Sequence, residues 1–239
     1  MKFFLAFCFF FSLEAFCRPQ IIFLHGLNAN VDSITYTDLK NYLSTKGDLN
    51  VPKLPGHIQK NQLAQINLKN LQSFLDELLA STFNTGSEEV ILIAHSMAAV
   101  FVLNHLTDTL KNKFKKIIYL SPAIPPKYFS FFQTLLHFLP NNFPIPSYSP
   151  KNLRLNDSLI AKNYDMLFSE VMVAINRPFL QANEVMIFHE LDEVIDVVKF
   201  SEIFSSAKRI KGVQQIPYHV FFLETKNQVI QEMWDDLLN

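Results

Sequence analysis

Ser96 and His219, with one of the carboxylates Glu190, Asp192, Glu193 and Asp196, have the types needed to turn a hydroxyl into a nucleophile. A serine hydroxyl attacks poorly until a base takes its proton. An imidazole is that base, and a carboxylate fixes its tautomer and steadies the imidazolium that forms. Ser96 lies inside VILIAHSMAAVFVL, residues 90–103, which begins as a buried-strand run and continues at helical spacing. A serine between strand and helix, with small residues two before and two after, has the layout of a nucleophile elbow. Such a turn holds the serine in a strained conformation and lifts its oxygen clear of the backbone.

Alanines, Ala94 and Ala98, stand where elbows usually carry glycine, which costs one methyl at each crowded position. The N–H of Met97 falls at the helix start, where it can stabilise an oxyanion. The plainer reading is an ordinary strand-to-helix turn with Ser96 as the helix cap.

A second apolar run, Ile21 to Leu24, ends in His25-Gly26-Leu27. Gly26 lets the chain turn sharply, and the Leu27 N–H then faces the nucleophile as a second oxyanion donor. His25, beside it, is read as a substrate-binding candidate. His-Gly is equally a simple strand-ending turn. Near residue 190 the carboxylates are Glu190, Asp192, Glu193 and Asp196, and His219 follows in Pro217-Tyr218-His219.

The elements that must hold these groups alternate. Strands are expected at residues 21–24, 49–54, 90–93, 117–120, 184–188 and 208–216. Helices are expected over 33–46, 65–83, 97–110, 197–207 and 228–238. That rhythm means a parallel sheet covered on both faces. Sites in such sheets gather at the carboxyl ends of strands, where His25, Ser96 and Ser121 fall. Residues 125–180 break the rhythm with seven of the twelve prolines among many aromatics. The stretch is too long for a simple loop and reads as an inserted helical cap. In Tyr128 to Leu139, the residues left to face water are Ser130, Gln133, Thr134 and His137, and Phe131 and Phe132 are read as lining for an apolar substrate.

The chain has 239 residues, 49% hydrophobic and 18% charged, which suits one domain. A formal charge of −1 gives no electrostatic basis for a nucleic-acid partner. No metal-ligand spacing or phosphate-cradling glycine loop is present, so no metal and no cofactor is expected. Residues 1–17 differ from the rest: Lys2, an apolar run from Phe3 to Leu13, then Ala15-Phe16-Cys17. That is the pattern of a signal peptide cleaved before Arg18, so the expected location is secreted or periplasmic. The alternative is an apolar first strand. Both cysteines, Cys8 and Cys17, lie in this segment and say nothing of the remainder.

With these residues in place the chain resembles the α/β-hydrolase superfamily. Within it, the chain is most similar to the serine hydrolases that include monoacylglycerol lipases and lysophospholipases. The likeness rests on Phe23 to Leu27, Leu54-Pro55-Gly56-His57, Ile93 to Ala98, His189 to Asp196, and Tyr218-His219 with the residues after it. Asn152 to Ser169 is similar to the cap of the same group. The resemblance implies an α/β-hydrolase fold over residues 18–239, with a cap at about 125–180. It implies Ser96 as nucleophile, Asp192 as acid, His219 as base, and Leu27 and Met97 as oxyanion donors. The implied reaction is hydrolysis of monoacyl lipids or short-to-medium acyl esters through an acyl-enzyme, with transient contact to a lipid surface. The chain departs from the family in its elbow alanines, in His189 and Leu191 near the acid, in Ile58-Gln59-Lys60 after the Pro-Gly-His turn, and in lacking two leading strands. Two alternatives remain: a thioesterase or small-peptide hydrolase on the same fold, and a silent protein that binds an apolar ligand.

Overall fold

A computed structural model of the chain describes residues 18–58, 62, 66–84, 89–147, 149–177, 180–212 and 217–239. The signal-peptide expectation over 1–17, with Cys8 and Cys17, lies outside the described residues, as do Gln65 and residues 213–216.

The chain runs β1 (Gln20–Leu24), α1 (Ile34–Lys46), β2 (Asp48–Asn50), α2 (Leu68–Asn84), β3 (Val90–His95), α3 (Met97–His105), α4 (Asp108–Lys111) and β4 (Lys116–Leu120). It continues α5 (Phe129–Phe138), β5 (Pro144–Pro146), β6 (Ser158–Ile160), α6 (Ala161–Ile175), β7 (Glu184–His189), α7 (Val197–Ile203), β8 (Lys208–Ile210) and α8 (Gln228–Leu238). A 3-10 helix covers Tyr218–Leu223. Six strands form one sheet in the order β2-β1-β3-β4-β7-β8, every pairing parallel.

Alternation along the strands divides the core. Ile22, Leu24, Leu92, Ala94, Ile117 and Tyr119 face the layer built by α2, α3 and α6. Ile21, Phe23, Ile91, Ile93, Ile118 and Leu120 face the layer built by α1 and α8, where Trp234 is wholly buried. Strands buried on both sides explain the unbroken apolar runs in the sequence.

The chain leaves β1 outward to β2, then returns on the other side to β3. Strand order therefore reverses between β1 and β3. Loops leaving the carboxyl ends of two such strands diverge and open a crevice, where ligands bind in sheets of this kind. The turn after β1 begins at His25 and the turn after β3 at Ser96.

Several boundaries differ from the sequence reading, each for a local reason. The second strand covers three residues, since Pro52 has no N–H to continue the ladder. The helix expected over 97–110 breaks after His105. Leu106 is extended there, and Thr107 caps α4 by accepting from the Leu110 N–H at 3.4 Å. The last strand ends at Ile210, just before Gly212 at φ +84.

The insertion between β4 and β7 is less purely helical than expected. It carries α5, then an antiparallel β5–β6 pair, then α6. Helix α6 lies against α3, and its buried Leu167, Val171 and Ala174 join the core cluster on that face of the sheet. Helix α5 packs on α6, where Phe129 meets Phe168 edge-on at 5.0 Å.

On α5, Ser130, Thr134 and His137 are exposed as expected and Gln133 is half-buried, but the outer face also carries apolar side chains. Phe131, Leu135 and Phe138, at spacing i, i+4, i+7, are 67%, 39% and 81% exposed. Phe132 turns inward against the core. Ser130 and Gln133 line an open groove of about 470 Å³ between α5, α6 and α7, with Met172 and Ile203. The polar stripe marks one side of this helix but does not tell which of the apolar residues beside it are covered.

Candidate active site

Ser96 closes β3 and caps α3 in a conformation rare for a side-chain-bearing residue, φ 56 and ψ −117. Its hydroxyl makes no capping bond, which removes the plainer reading of this serine. The hydroxyl instead lies 2.9 Å from His219 Nε2. Ala94 and Ala98 are buried against strand and helix, so the elbow accommodates both methyls.

His219 sits in the 3-10 helix after β8, held on several sides. Its N–H donates to Glu193 Oε2 at 3.2 Å. Its carbonyl accepts from His95 Nε2 at 3.1 Å, and the two rings lie 5.0 Å apart. Tyr218 stacks on His189 at 4.4 Å. His219 Nδ1 lies 3.1 and 3.0 Å from the two oxygens of Asp192. Nδ1–H therefore donates to the carboxylate and leaves Nε2 free to accept from Ser96.

Among the four carboxylates near residue 190, the structure brings Asp192 to the histidine. Asp192 is fully buried, and its Oδ1 also accepts from the N–H groups of Val194 and Ile195 at 2.9 and 3.1 Å. Its carbonyl accepts from Lys127 Nζ at 2.6 Å. Asp196 caps α7 through the Lys199 N–H at 3.2 Å, and Glu190 pairs with Lys211 at 3.4 Å.

Burial pushes the Asp192 carboxyl up, but the charge and hydrogen bond of His219, with the two N–H groups, hold it below the ordinary value of 3.8. Burial pushes His219 down, yet the charge and bond of Asp192, aided by Glu193, raise it above 6.5. The arrangement favours the ion pair Asp192⁻–His219⁺, the state reached when Ser96 loses its proton.

Gly26 packs against the elbow. A β-carbon there would stand 3.0 Å from both Ser96 Cβ and His95 Nδ1, tighter than ordinary contact, so any side chain at this position presses on the elbow. Leu27 and Met97 thus flank the serine from two strand ends. Among the described residues, neither of their N–H groups has a hydrogen-bond partner.

His25 does not line the site. Its side chain is fully buried with both nitrogens engaged: Nδ1 donates to Gly26 C=O at 2.9 Å, and Nε2 accepts from Leu54 N–H at 3.2 Å. Burial first, and the neighbouring His57 next, lower its pKa to about 3, so it stays neutral. The Gly26 carbonyl and the Leu27 N–H share one planar peptide and point oppositely. His25 therefore bears on the Leu27 donor from behind. Phe131 and Phe132 also fall outside the site as described: one faces solvent and the other the core.

Beside the elbow, Leu24, Leu54, Phe74, Met97 and Phe101 line an apolar crevice of about 10 Å³. Sequence reading misses this crevice and the supporting groups His95, Lys127 and Glu193. Glu193 lies in the carboxylate cluster, but nothing in that spacing distinguishes acid from backbone clamp.

No protein-family model and no curated protein sequence matches the chain. Solved structures do. One, described under lipolytic enzymes from metagenomes, LipS and LipT, aligns at TM-score 0.71 and 13% identity over 92% of this chain and 93% of that one. A monoacylglycerol lipase from Paleococcus ferrophilus aligns at 0.64 and 13% identity over 92% and 93%. A monoglyceride lipase from Saccharomyces cerevisiae, solved with a substrate analogue, aligns at 0.66 and 14% identity over 92% and 85%. The chain has the α/β-hydrolase fold, as the sequence resemblance implies.

Proposed function

We propose that this chain is a serine hydrolase that cleaves carboxylic esters, either monoacyl lipids or short-to-medium acyl esters. The observation that carries the reading is the hydrogen-bonded line from Ser96 Oγ through His219 to buried Asp192. In the proposed reaction His219 takes the Ser96 proton as the hydroxyl attacks the ester carbonyl. The N–H groups of Leu27 and Met97 receive the oxyanion. The ester oxygen leaves with the proton from His219, giving an acyl-enzyme. A water that His219 activates then releases the acid.

Lipases among the aligned structures support an ester substrate. The apolar crevice beside Met97 supports an acyl end, although about 10 Å³ is roughly the space of one water. Longer chains then require side chains such as Phe74 to move aside. The exposed face Phe131, Leu135, Phe138 suits transient contact with a lipid surface. Export is part of the proposal, resting on Lys2 and the run Phe3 to Leu13. Intact mass of protein from its native host is expected to begin near Arg18.

A fluorophosphonate probe tests the activity in one step. The wild-type chain is expected to label covalently, and Ser96→Ala, folded by circular dichroism, to remain unlabelled. An unlabelled wild-type chain would favour the silent ligand-binding reading.

A further inference from the structure

Asn28 follows Leu27 directly, and every polar atom it carries is engaged. Its N–H donates to His57 Nε2 at 2.9 Å. Its C=O accepts from the Leu155 N–H at 2.8 Å. In the side chain, Oδ1 accepts from the Asn156 N–H at 2.8 Å, and Nδ2 donates to Asn156 C=O at 2.8 Å and to Ser147 Oγ at 2.9 Å. The residue is buried and holds φ +62, a region that asparagine tolerates better than most side chains.

These bonds lead two ways. His57 belongs to the turn after Leu54, and its Nδ1 donates to Pro55 C=O at 3.2 Å, which leaves the Nε2 lone pair for Asn28. Burial lowers its pKa to about 4, so that acceptor persists through neutral pH. Ser147, Leu155 and Asn156 belong to the insertion beside the β5–β6 pair. Ala29 and Arg154 continue the connection as an antiparallel bridge. Gly26 C=O meanwhile accepts from the Ala29 N–H at 3.3 Å, closing a turn with Leu27 and Asn28 at its centre.

We propose that Asn28 is a positioning residue that ties Ser147, Leu155 and Asn156 of the insertion to the Leu27 oxyanion donor, so that docking of the insertion sets the oxyanion turn. The inference rests on the serine-hydrolase reading. Leu27 is held between Gly26, pressed on Ser96, and Asn28, clamped to the insertion. Movement of the insertion moves the donor with it, which makes the insertion a determinant of turnover rather than of substrate affinity alone.

Asn28→Gly tests this, because glycine keeps the left-handed backbone and deletes the side-chain bonds. Full-length wild type and variant are compared on p-nitrophenyl butyrate, with phenylboronic acid as mimic of the tetrahedral state. In a folded variant kcat is expected to fall about 10–100-fold, short of the about 10²–10³-fold seen when a donor is deleted outright. KM should stay within about threefold, and boronate inhibition should weaken in step with kcat. A folded variant with wild-type kcat and boronate affinity, and only a lower melting temperature, overturns the proposal. Should Asn28→Gly fail to fold, Ser147→Ala removes one Nδ2 partner. A kcat loss of about threefold at unchanged KM then supports the coupling, and wild-type kinetics overturn it. A wild-type chain that neither labels with fluorophosphonate nor turns over the ester overturns both readings. Loss of the kinetic effect in an active enzyme overturns this one alone.

Discussion

Gly26 and Ser96 come from the ends of two adjacent strands and approach so closely that a side chain at position 26 would press on the serine. A β-carbon at position 26 would lie 3.0 Å from Ser96 Cβ. Two further atoms define the crowding, His95 Nδ1 at 3.0 Å and Cε1 at 3.2 Å. All three belong to parts of the proposed machinery or its support, so relief must displace one of them. Gly26→Ala is therefore expected to fold, at a cost of about 1–3 kcal/mol for overpacking. Its kcat should drop about 10-fold or more as the Leu27 donor shifts. Melting temperature and ester kinetics measured together check this, and wild-type turnover in the alanine variant would sink it.

The carboxylate assignment separates two nearby aspartates. Asp192 meets both its histidine and two N–H groups, while Asp196 caps α7. Asp192→Asn is expected to cut kcat about 10²–10⁴-fold, since the imidazole loses the partner that fixes its tautomer. Asp196→Asn keeps a capping oxygen and should leave kcat near wild type. Greater loss at 196 than at 192, in folded proteins, would transfer the role.

Titration of His219 gives a signed pH dependence. The base is active when neutral, and its folded pKa lies above 6.5. As pH falls through that value, kcat/KM should fall with it, so the acid limb of the profile lies above 6.5. Asp192→Asn removes a principal raising influence and should move the limb downward. Stability runs the other way. The raised His219 contributes stability that is complete below 6.5 and lost as pH rises through its folded value. The lowered Asp192 contributes stability present above 3.8 and lost as pH falls through its folded value. The pair therefore stabilises the fold most between these values, on the acid side of the activity range. Melting curves from about pH 2 to 9, with initial rates over the range where the fold persists, check both signs, because that span covers both reference values with a margin on either side. An acid limb below 6.5 in the wild-type chain would contradict the geometry.

The candidate site was legible in outline because it rests on residue types near strand ends. Ser96 and the Asp192 region each follow an apolar run, and a parallel sheet brings such ends together, whereas His219 lies nine residues beyond the end of the polar strand β8. What stayed hidden lies in contacts between distant segments. Asn28 reaches Ser147 and Asn156 across the sheet's end, and no periodicity couples those positions. His25 stands beside Gly26 in sequence, yet its ring turns inward to Leu54. The expectation of one helix over 97–110 misses the break after His105, although Thr107-Asp108, a capping residue followed by an acid, is the signal that marks a new helix start. The orientation of α5 was legible only in part: Ser130, Thr134 and His137 face outward as their spacing implies, but Phe131, Leu135 and Phe138 share the outside with them, which an apolar residue type does not announce.

That orientation yields the last prediction. Phe131 and Phe138 stand on the outer face of α5 at 67% and 81% exposure, so their loss should leave the fold intact. Neither lines the groove beside α7 nor the crevice beside Met97. A role in holding a dissolved substrate is therefore not expected of them. A lipid surface, by contrast, would cover both rings at once. Each ring withdrawn from water contributes about 1.5–3 kcal/mol at full burial, so even partial insertion should be measurable. Phe131→Ser with Phe138→Ser is expected to keep the wild-type melting temperature and the wild-type rate on dissolved p-nitrophenyl acetate. On monoacylglycerol presented in sub-saturating vesicles the rate should fall about tenfold or more, recovering as vesicle concentration rises. Vesicle co-sedimentation should weaken in parallel. An equal loss on both substrates would place the rings in the catalytic site. An unchanged rate on vesicles would remove the lipid-surface role and leave the exposed face without one.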